Sequence, residues 1–245
     1  MSGEASPSRN VRWHATADER AWVDAAVAEL HAAMSATLEQ AGHSLLLVSG
    51  GTSPAPVLRS LSAIDIDWSR MIVSLVDERD VDPSDIGSNA HFVRETLLSN
   101  RAAKAAFWPL REAGQALDDA ARVANRRWHA MPAPRIAAVV LGMGEDAHTA
   151  SLFPGADGLA SALGSGEPYA VIDASGCAGA GAWPRRISLT PAGLSGANLR
   201  MLLLRGAGKR AVFERAIATD DASEAPVRIA VDAPGAKLHV HWCAV

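Results

Sequence analysis

A chain of 245 residues, 49% apolar and 20% charged, has globular composition and enough apolar side chains for a large core. Its 27 acidic against 23 basic residues give a net charge of −4, which leaves no basic surplus for tracking a nucleic-acid backbone. Cys177 and Cys243 are the only cysteines, too few for a disulfide framework or a paired-cysteine zinc motif, and no apolar run reaches membrane-spanning length.

The N-terminal MSGEASPSRN lacks the charged-then-apolar layout of a signal peptide, so the expectation is a cytoplasmic protein without membrane or nucleic-acid partners. Residues 17–41 then place Trp22, Ala26, Leu30, Ala33, Met34, Leu38 and Ala41 on one stripe at helical spacing. Thr16 and Glu19 have the spacing of a capping box, and Gly42 stands where that helix should end. Leu45–Val48 is fully apolar, the pattern of a buried strand, and Ser49-Gly50-Gly51 closes it. The alternation continues with a strand at 71–76, a helix at 89–99 started by Ser88, a helix at 115–130 and a strand at 136–141. A strand at 199–204, a helix from about Lys209 and a closing strand at 238–243 complete it.

Continuous apolar strands separated by helices predict an α/β fold, with a mostly parallel sheet covered by helices on both faces. The expectation is one domain over 1–245, with residues 1–10 flexible. The Gly/Ala/Pro-rich stretch 155–184 reads as a loop near the site rather than a linker.

The residues just past the strand ends carry the chemistry, because open parallel sheets bind ligands beyond the carboxyl ends of their strands. Ser49-Gly50-Gly51-Thr52 precedes a helix opened by Pro54. Its backbone N–H groups can cradle a phosphate, or its glycines can serve only a tight turn. Asp77-Glu78-Arg79 can present an arginine to phosphate with an aspartate holding it, or be a solvated acidic turn. Gly142 to Ala147 formally spells G-x-G-x-x-A, yet Pro154 interrupts any following helix and no acidic residue stands about twenty positions on, so a dinucleotide site is rejected. The segment reads instead as a loop presenting Asp146 and His148, a general base with its orienting carboxylate or a helix-capping Asp with a structural His. Lys209, after Gly206-Ala207-Gly208, either adds a cation to a phosphate or starts a helix. His239 and His241 share a strand face, but without a third ligand nearby in sequence they read as surface or packing, and no metal is expected. No G-x-S-x-G elbow occurs, which disfavours a serine hydrolase.

Taken in order and spacing, four segments resemble 6-phosphogluconolactonases: Leu47-Val-Ser-Gly-Gly-Thr-Ser-Pro54, Val76-Asp-Glu-Arg79 with Ser88-Asn89, Leu141 through Gly155 (LGMGEDAHTASLFPG), and Arg186-Ile-Ser-Leu-Thr190. The resemblance runs from about residue 10 to the C-terminus, and its most specific piece is Gly142–Gly155. It implies hydrolysis of 6-phospho-D-glucono-1,5-lactone to 6-phosphogluconate in the oxidative pentose phosphate pathway, without metal or organic cofactor. It also implies the Rossmann-like fold shared with glucosamine-6-phosphate deaminases.

The family's catalytic histidine falls on His148 and its companion aspartate on Asp146. The aspartate and arginine of its D-E-R motif fall on Asp77 and Arg79. The substrate and its phosphate are then expected at Ser49, Gly50, Gly51, Thr52, Arg79, Ser88, Asn89, Gly144, Arg186 and Lys209. Two departures stand out. Ala147 occupies the position of a family glycine, and the run Gly181-Ala-Trp-Pro-Arg-Arg186 lacks the family's lysine, for which Arg185 is the available replacement. The partner implied is a small phosphorylated sugar lactone, and the chain is expected as a monomer or weak homo-oligomer. The alternatives are a deaminase-type isomerase, whose acidic-aromatic sequence at Asp77-Glu78-Arg79 and run after the histidine both differ, and a non-catalytic phosphosugar-binding protein, which has no need of an Asp146/His148 pair.

Overall fold

A strand that the apolar pattern does not signal, β1 (Val11–Thr16), opens the fold in the computed structural model, which describes residues 10–131 and 135–245. Apart from Asn10, the segment expected to be flexible lies outside the described residues. Helix α1 (Glu19–Gln40) buries Trp22, Ala26, Leu30, Met34 and Leu38, the stripe at helical spacing. Full burial of each large apolar side chain contributes about 1.5–3 kcal/mol.

Its ends are not those expected. Asp18, not Thr16, is the N-cap and accepts from the Ala21 N–H, while Thr16 stays in β1 and donates its hydroxyl to the Trp242 carbonyl. At the other end Arg70 replaces a glycine cap. Its guanidinium donates to the carbonyls of Leu38 and Ala41 at 2.6 Å and of Gly42 at 2.9 Å, satisfying acceptors the helix leaves open.

The chain continues through β2 (Ser44–Val48), α2 (Pro54–Leu61), β3 (Met71–Leu75), β4 (Asp77–Arg79), α3 (Asn89–Thr96), β5 (Ala106–Trp108) and α4 (Leu117–His129). It goes on with β6 (Ile136–Leu141), α5 (Leu159–Leu163), β7 (Tyr169–Asp173), β8 (Arg185–Leu189) and α6 (Pro191–Leu194). It closes with β9 (Arg200–Arg205), α7 (Gly206–Ala216), α8 (Arg228–Asp232) and β10 (Leu238–Cys243). The stretch 155–184 is therefore not all loop, since it holds α5 and β7.

Seven strands form one sheet in the order β1-β10-β9-β6-β2-β3-β5, every neighbouring pair parallel. Every residue of β2 and β6 is buried, so both faces of the central sheet are covered, as their unbroken apolar sequences require. Strands β4, β8 and β7 make a second, antiparallel sheet beyond the end of β3. Among the described residues no helix is long and apolar enough to cross a membrane.

The topology fixes where a ligand can enter. Strands β2 and β6 are neighbours, but the chain leaves β2 toward β3 and β5 and leaves β6 toward β9 and β10. Their connections diverge, which opens a crevice beyond their carboxyl ends at this switch point.

Candidate active site

Three segments wall that crevice: the Ser49–Pro54 turn after β2, the Gly142–Ala150 loop after β6, and β4 with the facing part of β8. Gly51 has φ of +109°, a conformation that favours glycine. Gly50 is required for space instead, because an added Cβ would lie 2.1 Å from Asn89 Oδ1. Asn89 is itself fixed by donating Nδ2–H to the Asp77 carbonyl at 2.8 Å. The Ser49 hydroxyl is buried with no hydrogen-bond partner among the described residues.

Glu78 ties this wall together. Its carboxylate accepts from the N–H groups of Arg79, Asn89 and Ala90 at 2.8 Å each and from the Ser88 hydroxyl at 3.0 Å. It thereby occupies the N-terminus of α3, where a negative charge is favoured. Burial nevertheless pushes the Glu78 carboxyl above its usual value, against those hydrogen bonds. Ser88 is spent on this contact and on capping α3, where it accepts from the His91 N–H. Its expected place on the phosphate is corrected accordingly: it is buried behind the wall rather than lining it.

Asp77 does not hold Arg79, contrary to expectation. Its carboxylate instead accepts the Ser151 hydroxyl at 2.6 Å, with Arg186 at 3.9 Å. Asp77 and Arg79, two apart on β4, share a face, but Asp77 pairs with Ser188, whose hydroxyl accepts the Ser151 N–H at 3.0 Å, while Arg79 pairs with Arg186 and reaches toward Gly87. Arg79 donates to the Gly87 carbonyl at 2.5 Å and lies 5.8 Å over the Trp183 ring, leaving its Nε buried and unpartnered. Arg186 is buried over Phe153 and donates to the Trp183 carbonyl at 2.8 Å and the Ala180 carbonyl at 2.5 Å. Burial pulls its pKa down, opposed by Asp77 and reinforced by the charge of Arg79. Two cations directly opposed across a strand pair repel; an anion between them removes the repulsion. Lys209, at the start of α7, reaches the same crevice and donates to the Met143 carbonyl. Arg185 does not replace the missing lysine at the crevice, because it turns outward to Asp80 and Asp118 at 3.4 and 3.7 Å.

On the β6 side His148 Nδ1 lies 2.6 Å from Asp146 Oδ1, which also accepts the His148 N–H at 3.2 Å. Burial alone raises the Asp146 carboxyl, but the hydrogen bond and charge of His148 outweigh it and hold it below its usual value. An ionised Asp146 keeps the proton on Nδ1, which makes Nε2 the basic nitrogen. Phe153 packs against the imidazole with ring centroids 4.1 Å apart. Gly144 and Gly179 close on the pair, since an added Cβ would lie 2.2 Å from His148 Nδ1 or 2.8 Å from Asp146 Oδ2, respectively. Ala147 has φ of +62°, so the position that the family fills with glycine does require a left-handed backbone.

The crevice thus gathers Ser49, Gly50, Gly51, Thr52, Asp77, Arg79, Asn89, Gly144, His148, Arg186 and Lys209 of the expected residues, with Asp146 behind His148. Sequence reasoning assigned no role to Glu78, Ser151, Phe153, Gly179 or Trp183. Ser151 and Phe153 lie inside the most specific motif; Gly179 and Trp183 lie in the stretch read as loop, where no local pattern marks them.

Residues 17–242 match the family described as glucosamine-6-phosphate isomerases/6-phosphogluconolactonase. The chain belongs to that family. A 6-phosphogluconolactonase from Xylella fastidiosa is 47% identical over 227 residues, 93% of this chain and 94% of that protein. One from Rhizobium meliloti is 37% identical over 229 residues, covering 94% and 97%. Among solved structures, a 6-phosphogluconolactonase from Shewanella baltica superposes with a TM-score of 0.89 at 29% identity, covering 97% of this chain and 99% of that one. Family membership and this structural match agree with the α/β architecture expected from the strand pattern.

Proposed function

We propose that this chain is a 6-phosphogluconolactonase, hydrolysing 6-phospho-D-glucono-1,5-lactone to 6-phospho-D-gluconate in the oxidative pentose phosphate pathway. The observation that carries the reading is one crevice holding both an oriented His148–Asp146 pair and two arginines, Arg79 and Arg186, paired across β4 and β8. The names of the near-full-length relatives support the same activity.

In this mechanism the 6-phosphate lies against the Ser49–Thr52 turn, with Arg79 and Arg186 neutralising it and Lys209 adding a third cation. The unpartnered Ser49 hydroxyl and Arg79 Nε are the donors it would satisfy. Nε2 of His148 takes a proton from water as the water oxygen bonds to the lactone carbonyl carbon. The ring C–O bond then breaks, and the imidazolium returns the proton to the departing ring oxygen. Asp146 stabilises the imidazolium between the two transfers. Asp77 acts through Ser151 and Arg186, holding the guanidinium rather than touching substrate. No cofactor enters this scheme. We take the chain to work as one domain, in the cytoplasm, as a monomer or weak homo-oligomer with no nucleic-acid partner.

The test is hydrolysis of freshly prepared 6-phosphogluconolactone, corrected for spontaneous opening, alongside ammonia release from glucosamine 6-phosphate. Lactone hydrolysis without ammonia release is expected, and His148→Ala should lose about 10²–10⁴ in rate with modest change in affinity. Ammonia release without lactonase activity overturns the reading.

A further inference from the structure

Away from the crevice, on the sheet face beneath α1, three histidines converge on one glutamate. His14 on β1 pairs in parallel register with His241 on β10, and their rings stack 4.4 Å apart at 2°. His239, two residues earlier on the same face, has its ring 5.3 Å from that of His14. Glu29 reaches into them from α1, with Oε1 at 2.5 Å from His239 Nδ1 and Oε2 at 2.6 Å from His241 Nε2. The third histidine is left over. His14 Nε2 is buried without a hydrogen-bond partner, 3.8 Å from Glu29 Oε2, too far for a hydrogen bond.

A buried polar atom without a partner is costly, and a cluster of side chains normally arranges itself to avoid one. The ring nitrogen of His14 has a ready alternative role. The ligand atoms of His14, Glu29 and His239 all lie within 4.8 Å of one another. Tetrahedral coordination at 2.0–2.1 Å brings such atoms to about 3.3 Å, a closure that side-chain rotations on three packed elements can supply.

We propose that His14, His239 and Glu29 form a binding site for a divalent d-block cation of the zinc type. His241 holds the second carboxylate oxygen of Glu29, and water completes the shell. Imidazole and carboxylate ligands suit such ions, and ligating carboxylates are themselves held by hydrogen bonds. The ion is structural: it ties the edge strand β1, as well as its neighbour β10, to α1, where Glu29 already holds His239 and His241 of β10 by hydrogen bonds. The two histidines that read as surface or packing in the sequence are thereby reassigned, because the fold supplies the missing ligands from residues 14 and 29.

The experiment uses the full chain without an affinity tag, stripped by chelator and titrated with ZnCl2 by calorimetry and thermal unfolding. One equivalent should bind, and Tm should rise by about 5–10 °C at about a hundred times Kd. His14→Ala and Glu29→Gln should each abolish the rise, whereas His148→Ala, at the crevice, should keep it. Absence of stoichiometric binding by the parent overturns the proposal, as does a rise that survives both cluster variants. Should a variant fail to fold, Co2+ added to the parent decides the matter by NMR. Paramagnetic broadening of the ring signals of His14, His239 and His241 supports the site, and broadening centred on His148 refutes it.

Discussion

Gly144→Ala tests the His148 assignment without touching either ionisable group. The backbone of Gly144 is tied into the loop, donating its N–H to the His148 carbonyl at 2.9 Å. A Cβ there would stand 2.2 Å from His148 Nδ1, 2.3 Å from Cε1 and 2.5 Å from Asp146 Oδ1. The imidazole cannot simply retreat, because Phe153 packs against it and Gly179 leaves no slack behind the aspartate. The methyl group must therefore break the 2.6 Å contact between Nδ1 and Asp146. A hydrogen bond to a charged group is worth about 1.5–3 kcal/mol, and a tenfold change in rate is about 1.36 kcal/mol, so kcat/KM should fall about 10- to 150-fold. The fold should survive, as Gly144 is not at positive φ. The assay is lactone hydrolysis beside a thermal melt, repeated on the Gly144→Ala/His148→Ala double variant. If Gly144 acts only through His148, the double variant loses no more than His148→Ala alone. Parental kcat/KM in Gly144→Ala, or losses that multiply in the double variant, would refute the reasoning.

The same geometry sets three further outcomes. Arg79→Ala should weaken 6-phosphogluconate binding about 10- to 150-fold by calorimetry, the loss of one charge-assisted contact, and unphosphorylated gluconolactone should be a poor substrate of the parent. For Asp146→Asn, the carboxyl is held below its usual value in the folded chain, so its stabilising effect is present above about pH 3.9 and lost as pH falls through the lowered value. Urea unfolding should accordingly show the parent more stable than the variant above about pH 3.9, with the difference shrinking as pH falls further. For Ala147→Gly, relief of the +62° backbone gains about 1–2 kcal/mol. Loss of a buried methyl costs about 0.8 kcal/mol and glycine's chain entropy about 0.5–1 kcal/mol. The sum lies near zero, and a change in unfolding free energy above about 2 kcal/mol in either direction contradicts it.

The part of the fold legible in the sequence is the part buried on both faces. Leu45–Val48 and Ile136–Leu141 are apolar without interruption because helices cover them above and below. Strand β1, V-R-W-H-A-T, is an edge strand with polar residues at alternate positions and no apolar run to announce it. Strands β5, β7 and β8 are three to five residues long, and β7 follows a Gly/Ala-rich segment whose composition reads as loop. Caps failed for a different reason. Asp18 and Thr16 are both competent N-caps, and only the pairing of β1 with β10 removes Thr16 from the contest.

The site was legible where it follows a strand and illegible where it depends on pairing between distant strands. Gly50, His148 and Asp146 were found because each lies in the turn after a central strand, the place where parallel sheets bind ligands. That Arg79 pairs with Arg186, and Asp77 with Ser188 beside Ser151, is set by the register of β4 on β8, more than a hundred residues apart in sequence. The same reason hid the histidine cluster: the ladder of β1 on β10 joins residue 14 to residue 241, and α1 adds residue 29. Local pattern names the chemistry a residue can do; register decides which neighbour it does it with. In this fold one parallel ladder leaves an imidazole nitrogen near a carboxylate but beyond hydrogen-bond reach, and one antiparallel ladder sets two arginines opposite each other. On the readings proposed above, a cation would relieve the first arrangement and a phosphate the second.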